Sequence, residues 1–381
     1  MNVATVNQTL TANELLSWVE IDRSALEHNL TQIRNATLPS AEILAVVKAN
    51  AYGHGLVEIA KLLDKKVAYY GVASVDEALR LREFGLQAPI LLFGIHFEHQ
   101  IKRAVEANII ISVSSLEQAG LIQEAATELN RPATVHIKVD TGMGRLGIPV
   151  KDALAVIQKI HAFDRLILEG IYTHFPISEK KNDSYTQQQI RKFHSLINAL
   201  DKKGVHFAIR HAANSGAVVN YRDSHLNLVR PGLSMYGIYT DEMLTEKISL
   251  KPVLSWRARV VMVKEIAEGE SVGYGQAYKA KEKTNIAILP IGYGQGYPFS
   301  LSGKGSVLIH GKSYFLAGRV SMDYAAVDIG TDPVHAGDVV TLLGQDGERA
   351  ISAELLANLA NTIPYEIVTK IGSQVPRILV S

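Results

Sequence analysis

The chain contains no cysteine in 381 residues. That excludes disulfides, thiolate metal sites and cysteine nucleophiles together, and it gives no reason to invoke an oxidising compartment. An excess of one charge is also missing: 39 Lys and Arg face 38 Asp and Glu, a formal net charge of +1 with no block of like charges. Neither nucleic acid nor an anionic membrane is therefore the implied partner, which leaves small molecules and self-association. No uninterrupted apolar run is long enough to span a bilayer. The opening MNVATVNQTLTANELL lacks the basic region and the continuous apolar stretch of a secretion signal, so a cytoplasmic protein is the expectation.

At 47% hydrophobic and 20% charged residues, the chain can bury a sizeable core and should hold more than one domain. Strand-like runs occur at 43–47, 68–73, 89–94, 108–113, 134–139, 166–172, 207–210 and 227–230, separated by helix-period segments such as 56–63, 75–84, 115–128, 150–162 and 185–203. Eight units in the constant order strand then helix predict an α/β fold, a closed (β/α)8 barrel, with an open doubly wound sheet as the alternative. From Leu254 the texture changes to short β-branched runs broken by glycine turns, which predicts a C-terminal all-β domain. The domain expectation is a barrel over 1–245 and a β domain over 246–381, with the strand-like 17–22 a candidate to pair with the latter.

Barrel enzymes place their chemistry in the loops at the C-terminal ends of the strands. Here those loops carry Lys48 and Tyr52 after the first strand, Lys138, Asp140 and Arg145 after the fifth, and His174 after the sixth. The seventh is followed by His211, Asn214 and Ser215, and the eighth by Arg230 and Gly232. Taken singly, each has a bland explanation: a snorkelling lysine, a surface arginine, a core histidine, a helix cap. Convergence of so many at one barrel face is harder to produce by packing. Lys48, in AVVKANAYGHG, stands at the mouth of an apolar strand, where an ammonium must be solvated, paired or consumed as an imine. The loops after strands seven and eight are the recurrent phosphate site of this fold. An imine-capable lysine beside a phosphate site suggests pyridoxal 5'-phosphate (PLP).

On the motifs AVVKANAYGHG, IKVDTGMGRLG, YTHF, HAANS, VRPGLSMYG, SVGYGQAY, GRVSMD and IPYE, the chain resembles bacterial alanine racemases from about Ser17 to its C-terminus. The resemblance implies a PLP-binding barrel joined to a β domain, in a homodimer whose sites are each completed by the neighbour's β domain. It implies interconversion of L- and D-alanine by two-base proton transfer at Cα of a PLP aldimine, with Lys48 on one face and Tyr274 of the partner chain on the other. It assigns Tyr52, Ser215, Gly232 and Tyr365, with Asn214 beside them, to the cofactor, and Arg145 to the cofactor's phenolic oxygen and the substrate. Met322 falls at a substrate-carboxylate contact and Lys138 at a lysine often carbamylated to hold that arginine. Arg230 becomes the partner of the pyridine nitrogen, and His174 the link between Arg230 and the tyrosine. No metal is implied. D-alanine supply for the cell wall and D-alanine breakdown both fit these residues.

The arginine pairing has a physical sense of its own. Arginine can only donate, so the ring nitrogen must stay unprotonated and the ring becomes a weaker electron sink, which favours rapid return of a proton to Cα over transamination. Tyrosine, ordinarily near pKa 10, needs help to act as a base at neutral pH. Barrel-type basic amino-acid decarboxylases share both folds but use a cysteine-bearing second-subunit motif, and a non-catalytic PLP carrier would not need a domain bearing Tyr274. Two motifs are decoys: GYGQG at 292–296 is followed by Pro298 rather than a helix, and His96 and His99 lack metal-site spacing. The chain departs from the family's GY(A/G)DGYPR at Gln295 and Phe299, and Ile177 stands where a small residue is usual; the resemblance places these near the substrate entrance.

Overall fold

The computed structural model describes residues 12–239 and 241–381. The chain forms two compact units: Leu26–Ala51 with Leu56–Lys251, and the chain up to Ala25 with Tyr52–Gly55 and Pro252–Ser381.

The first unit is the closed barrel. Its strands are Glu42–Val46, Tyr69–Val72, Ile90–Leu92, Ile110–Val113, Ala133–Asp140, Leu166–Tyr172, Ile209–His211 and Leu228–Val229. Each pairs in parallel with the next, and Leu228 opposite Glu42 closes the ring. Covered on both faces, the short strand Ile90–Leu92 is apolar at every position. The long fifth strand instead alternates, and its period of two puts His136, Lys138 and Asp140 on one face. Helix starts follow local chemistry. Ser74 accepts from the Glu77 N–H and Glu77 returns to the Ser74 N–H, while Ser115 and Asp183 cap their helices in the same sense. After the last two strands come the six-residue helix Ser215–Asn220 and short 3₁₀ turns such as Leu233–Tyr236, so the final βα units are abbreviated.

In the second unit Leu254–Arg259 lies between Ser17–Asp22 and Val339–Asp346, antiparallel to both, and Ser17–Asp22 also pairs in parallel with Arg377–Val380. Residues 254–266 form two strands: Met262–Ile266 joins Thr284–Leu289 and Ala325–Gly330 in a separate sheet. Val260 bonds to the 337–338 backbone and Val261 donates to the Ile288 carbonyl, handing the chain from one sheet to the other. A two-stranded ribbon, Ser271–Val272 with Tyr278–Lys279, carries Tyr274 in its turn. GYGQG forms no amphipathic helix: residues 293–295 are one 3₁₀ turn, whose Tyr293 and Gly294 N–H groups donate to the Ser321 and Met322 carbonyls. Among the described residues no helix is long and apolar enough to cross a membrane.

Candidate active site

The first barrel strand ends one residue before Val47, and Lys48 opens an unusual turn. Ala49, Asn50, Ala51 and Tyr52 all have φ between 52° and 54°, four successive non-glycine residues in the left-handed region. Each such residue costs about 1–2 kcal/mol relative to right-handed backbone, so the surroundings must hold the turn. They do so at Asn50, whose N–H donates to Glu77 Oε1 at 3.2 Å and whose Oδ1 accepts from the Leu56 N–H at 2.9 Å. Burial lowers the Lys48 amine below the ordinary lysine value and the charge of Arg145 lowers it further, against a smaller opposing effect of Glu77.

Lys138 projects from the same face of strand five as His136. Its ammonium lies 5.5 Å over the Tyr172 ring, and burial together with Arg230, Arg145 and Lys48 brings its pKa down to about 8. The loop that follows is wrapped on Asp140, whose carboxylate accepts from the N–H groups of Gly142, Met143 and Gly144 at 2.8–2.9 Å. Tyr185 Oη donates to the Gly142 carbonyl at 2.7 Å. A side chain at Gly142 would lie 2.5 Å from that hydroxyl, at φ +145°, so only glycine fits. The wrapped loop presents Arg145.

Arg230 is buried. Its guanidinium donates to the Thr173 carbonyl at 2.7 Å, the Ala212 carbonyl at 3.0 Å and His211 Nδ1 at 3.0 Å, and lies 3.5 Å from His174 Nδ1. Burial lowers it to about 10, still protonated at neutral pH. Burial and the charges of Arg230, Lys138, Lys48 and Arg145 hold His174 near 3, a neutral imidazole. Beside this group Ser215 Oγ accepts from the Gly232 N–H at 2.9 Å and the Ser234 hydroxyl at 3.1 Å. Asn214 is the cap of the helix opened by Ser215, its Oδ1 accepting from the Ala217 N–H at 3.2 Å.

The barrel unit therefore brings Lys48, Lys138, Arg145, His174 and Arg230 into mutual electrostatic reach, with Ser215 and Gly232 on adjoining loops. Sequence reasoning missed Tyr172, whose ring stacks on His211 at 4.7 Å, and the bonds of His136 to His211 and Glu169. The available signal was the alternation of strand five. The other site residues belong to the second unit. There Tyr52 is buried, its ring 6.1 Å from that of Tyr365, and burial raises its phenol. Tyr274 is 74% exposed and Met322 56% exposed. Tyr274 borders a cavity of about 450 Å³ that Arg319, Ser321 and Tyr324 also line. His96 Nε2 donates to the Phe93 carbonyl at 3.1 Å.

Known proteins resemble this chain along nearly its whole length. The family model for the alanine racemase N-terminal domain matches residues 21–240, and that for the alanine racemase C-terminal domain matches 253–379. The chain is 42% identical over 365 residues to an alanine racemase of Methanococcus maripaludis, covering 95% of this chain and 98% of that protein. An alanine racemase structure from Clostridium difficile 630 superposes with a TM-score of 0.92 at 34% identity over 96% of each chain. A histidine racemase from Leuconostoc mesenteroides subsp. sake, 32% identical, matches with a TM-score of 0.88 over 98% of this chain and all of that one. Two family models spanning nearly the whole chain, a relative of this identity and a shared fold together establish that the chain is a member of the alanine racemase family.

Proposed function

We propose that this protein interconverts L- and D-alanine with PLP as cofactor, using Lys48 and the Tyr274 of a partner copy as bases on opposite faces of the substrate Cα. The observation that carries the reading is the cluster of Lys48, Lys138, Arg145 and Arg230, in which burial first and then neighbouring positive charge depress Lys48, Lys138 and His174. Only Glu77 and Asp140 act in the opposite sense on the two lysines. Such an excess of positive charge fits an anionic, phosphate-bearing cofactor and an amino-acid carboxylate. Ser215 Oγ, with the Gly232 N–H beside it, has the donor chemistry of a phosphate cradle.

When bound, PLP supplies an electron sink that acidifies the Cα proton of an amino acid. In this chain Lys48 would hold it through Nζ, and a lysine of lowered pKa is suited both to that attachment and to proton transfer. Tyr52, Tyr365, Ser215, Gly232 and Asn214 would surround the phosphate, and Arg145 would orient the phenolic side and the substrate. Arg230, able only to donate, would keep the ring nitrogen unprotonated. Lys138 at about 8 has the neutral amine fraction that carbamylation requires, and a carbamate there would give Arg145 an anionic partner. Tyr274 and Met322, exposed on the second unit, are suited to act on a neighbouring copy, with His174 and Arg230 assisting the tyrosine.

Purified protein loaded with PLP should convert L-alanine to a racemic mixture, followed by optical rotation, without release of carbon dioxide. Carbon dioxide release would move it to the decarboxylases. Inertness toward alanine with turnover of histidine would overturn the substrate assignment, a comparison made pertinent by the histidine racemase of the same fold.

A further inference from the structure

Arg230 is a buried cation whose bonds go to two backbone carbonyls, the His211 imidazole and, at 3.5 Å, that of His174; among the described residues none goes to a carboxylate. A buried charge without compensation is costly. The bonds beyond it lead to a counter-charge. Arg230 Nη1 lies 3.0 Å from His211 Nδ1, His211 Nε2 lies 2.9 Å from His136 Nδ1, and His136 Nε2 lies 2.9 Å from Glu169 Oε2.

The direction of every bond in this chain is forced from its end. Guanidinium has no acceptor, so His211 Nδ1 must accept and the proton of that imidazole sits on Nε2. His211 Nε2 then donates to His136 Nδ1, which places the His136 proton on Nε2, donating to the carboxylate. Both imidazoles are buried, and burial lowers both below the ordinary histidine value, in keeping with two neutral rings of one tautomer. The rings cannot easily turn away. His211 is stacked on Tyr172, whose hydroxyl is tied to Ser112 Oγ at 2.8 Å, and His136 meets His211 edge-on at 5.1 Å. At the far end Glu169 keeps 28% of its side chain exposed, and the Tyr69 hydroxyl also donates to it.

We infer that Glu169 is the counter-charge of Arg230, connected to it through His211 and His136 in one fixed tautomeric order, and that it sets how strongly Arg230 acts within the site. Glu169 and His136 are then positioning residues: they touch no reacting atom and work through Arg230. The second half of this inference rests on the proposed contact of Arg230 with the PLP ring nitrogen; the tautomeric order does not.

The test uses the full-length PLP-loaded protein labelled with ¹⁵N-histidine, as wild type, Glu169→Gln and Glu169→Asp. Wild type should show two neutral, Nε2-protonated imidazoles, with the His136 proton shifted downfield by its charged acceptor. Glu169→Gln keeps an acceptor but removes the charge, so the His136 resonance should move upfield and that of His211 should follow by less. With Arg230 less offset, the protonated form of the bound chromophore is disfavoured and the pH midpoint of its visible absorbance should fall. Glu169→Asp should restore the resonances and the midpoint toward wild type. Either imidazole protonated on Nδ1, or doubly protonated, would overturn the inference whatever the cofactor does. The predicted His136 shift with His211 and the chromophore both unmoved would overturn the coupling. Movement at His211 with an unmoved chromophore would retain the counter-charge and refute Arg230's contact with the ring. A Gln variant that fails to fold leaves the wild-type tautomers and the Asp variant to decide.

Discussion

The two units carry their polar residues in opposite ways. In the barrel, Lys138, His136, His211 and Arg230 are buried, and neighbouring charges and burial have already moved their proton affinities. In the β unit, Tyr274, Met322 and Tyr324 are more than half exposed, on a ribbon turn and a loop. One unit is electrostatically prepared by its own chain. The other presents its side chains to solvent, the pattern expected if, as proposed, a partner completes the site.

The comparison breaks most sharply at Lys48. Lys48→Ala should leave a folded protein that loses racemisation and the covalent hold on PLP, because the attachment point and one base vanish together. Borohydride treatment of wild type should fix the cofactor on Lys48, and substantial turnover by the Ala variant without added amine would contradict the assignment. Tyr274→Phe tests the exposed side. Loss of a general base costs typically about 10²–10⁴-fold, so proton removal from one enantiomer should fall by that order while the other suffers much less. We expect L-alanine to be the one affected; equal loss of deuterium exchange for both would remove the two-face model.

A pH series sharpens the contrast between the units. The folded barrel holds His174 near 3, and His136 and His211 below the ordinary 6.5. Between those values the unfolded chain binds more protons than the folded one, so stability is highest above about 6.5 and falls as pH drops toward 3. The urea midpoint should decline over that window, and less steeply in His174→Gln. An equally steep decline in that variant would exclude His174 as a contributor.

The smallest effect belongs to the departures from the family pattern. Gln295 Oε1 accepts from the Gly292 N–H at 2.9 Å, and the half-exposed Phe299 meets Tyr293 edge-on at 6.3 Å. Restoring the acid and base as Gln295→Asp with Phe299→Arg should change KM for alanine a few-fold with little change in kcat, since an exposed ion pair is worth at most about 1 kcal/mol. An unchanged KM would reduce the two residues to drift in a surface loop.

Much of the barrel was legible because its strands are short apolar runs between capped helices, and the observed bounds lie within about two residues of the reading. Helix Glu98–Glu106 was not read, and it begins after Phe97 with no side-chain cap to announce it. The left-handed turn at 49–52 could not be seen either, since the loop read there has no glycine before Gly53 to announce a positive φ. Within 254–266 nothing polar marks the exchange of sheets at Val260 and Val261. At the site, residues at or just past the C-terminal ends of the strands stood out as polar among apolar neighbours. His136 and Glu169 did not, because they lie inside strands, where a polar residue reads as solvent-facing until the barrel closes around it.

The central claim is that one base comes from the barrel of one copy and the other from the β unit of its neighbour. Mixing Lys48→Ala with Tyr274→Phe under conditions of subunit exchange tests it directly. In mixed dimers one of the two sites should hold both native bases, so activity should reappear from two inactive parents. Absence of recovery despite demonstrated exchange would place both bases in a single chain and contradict the account.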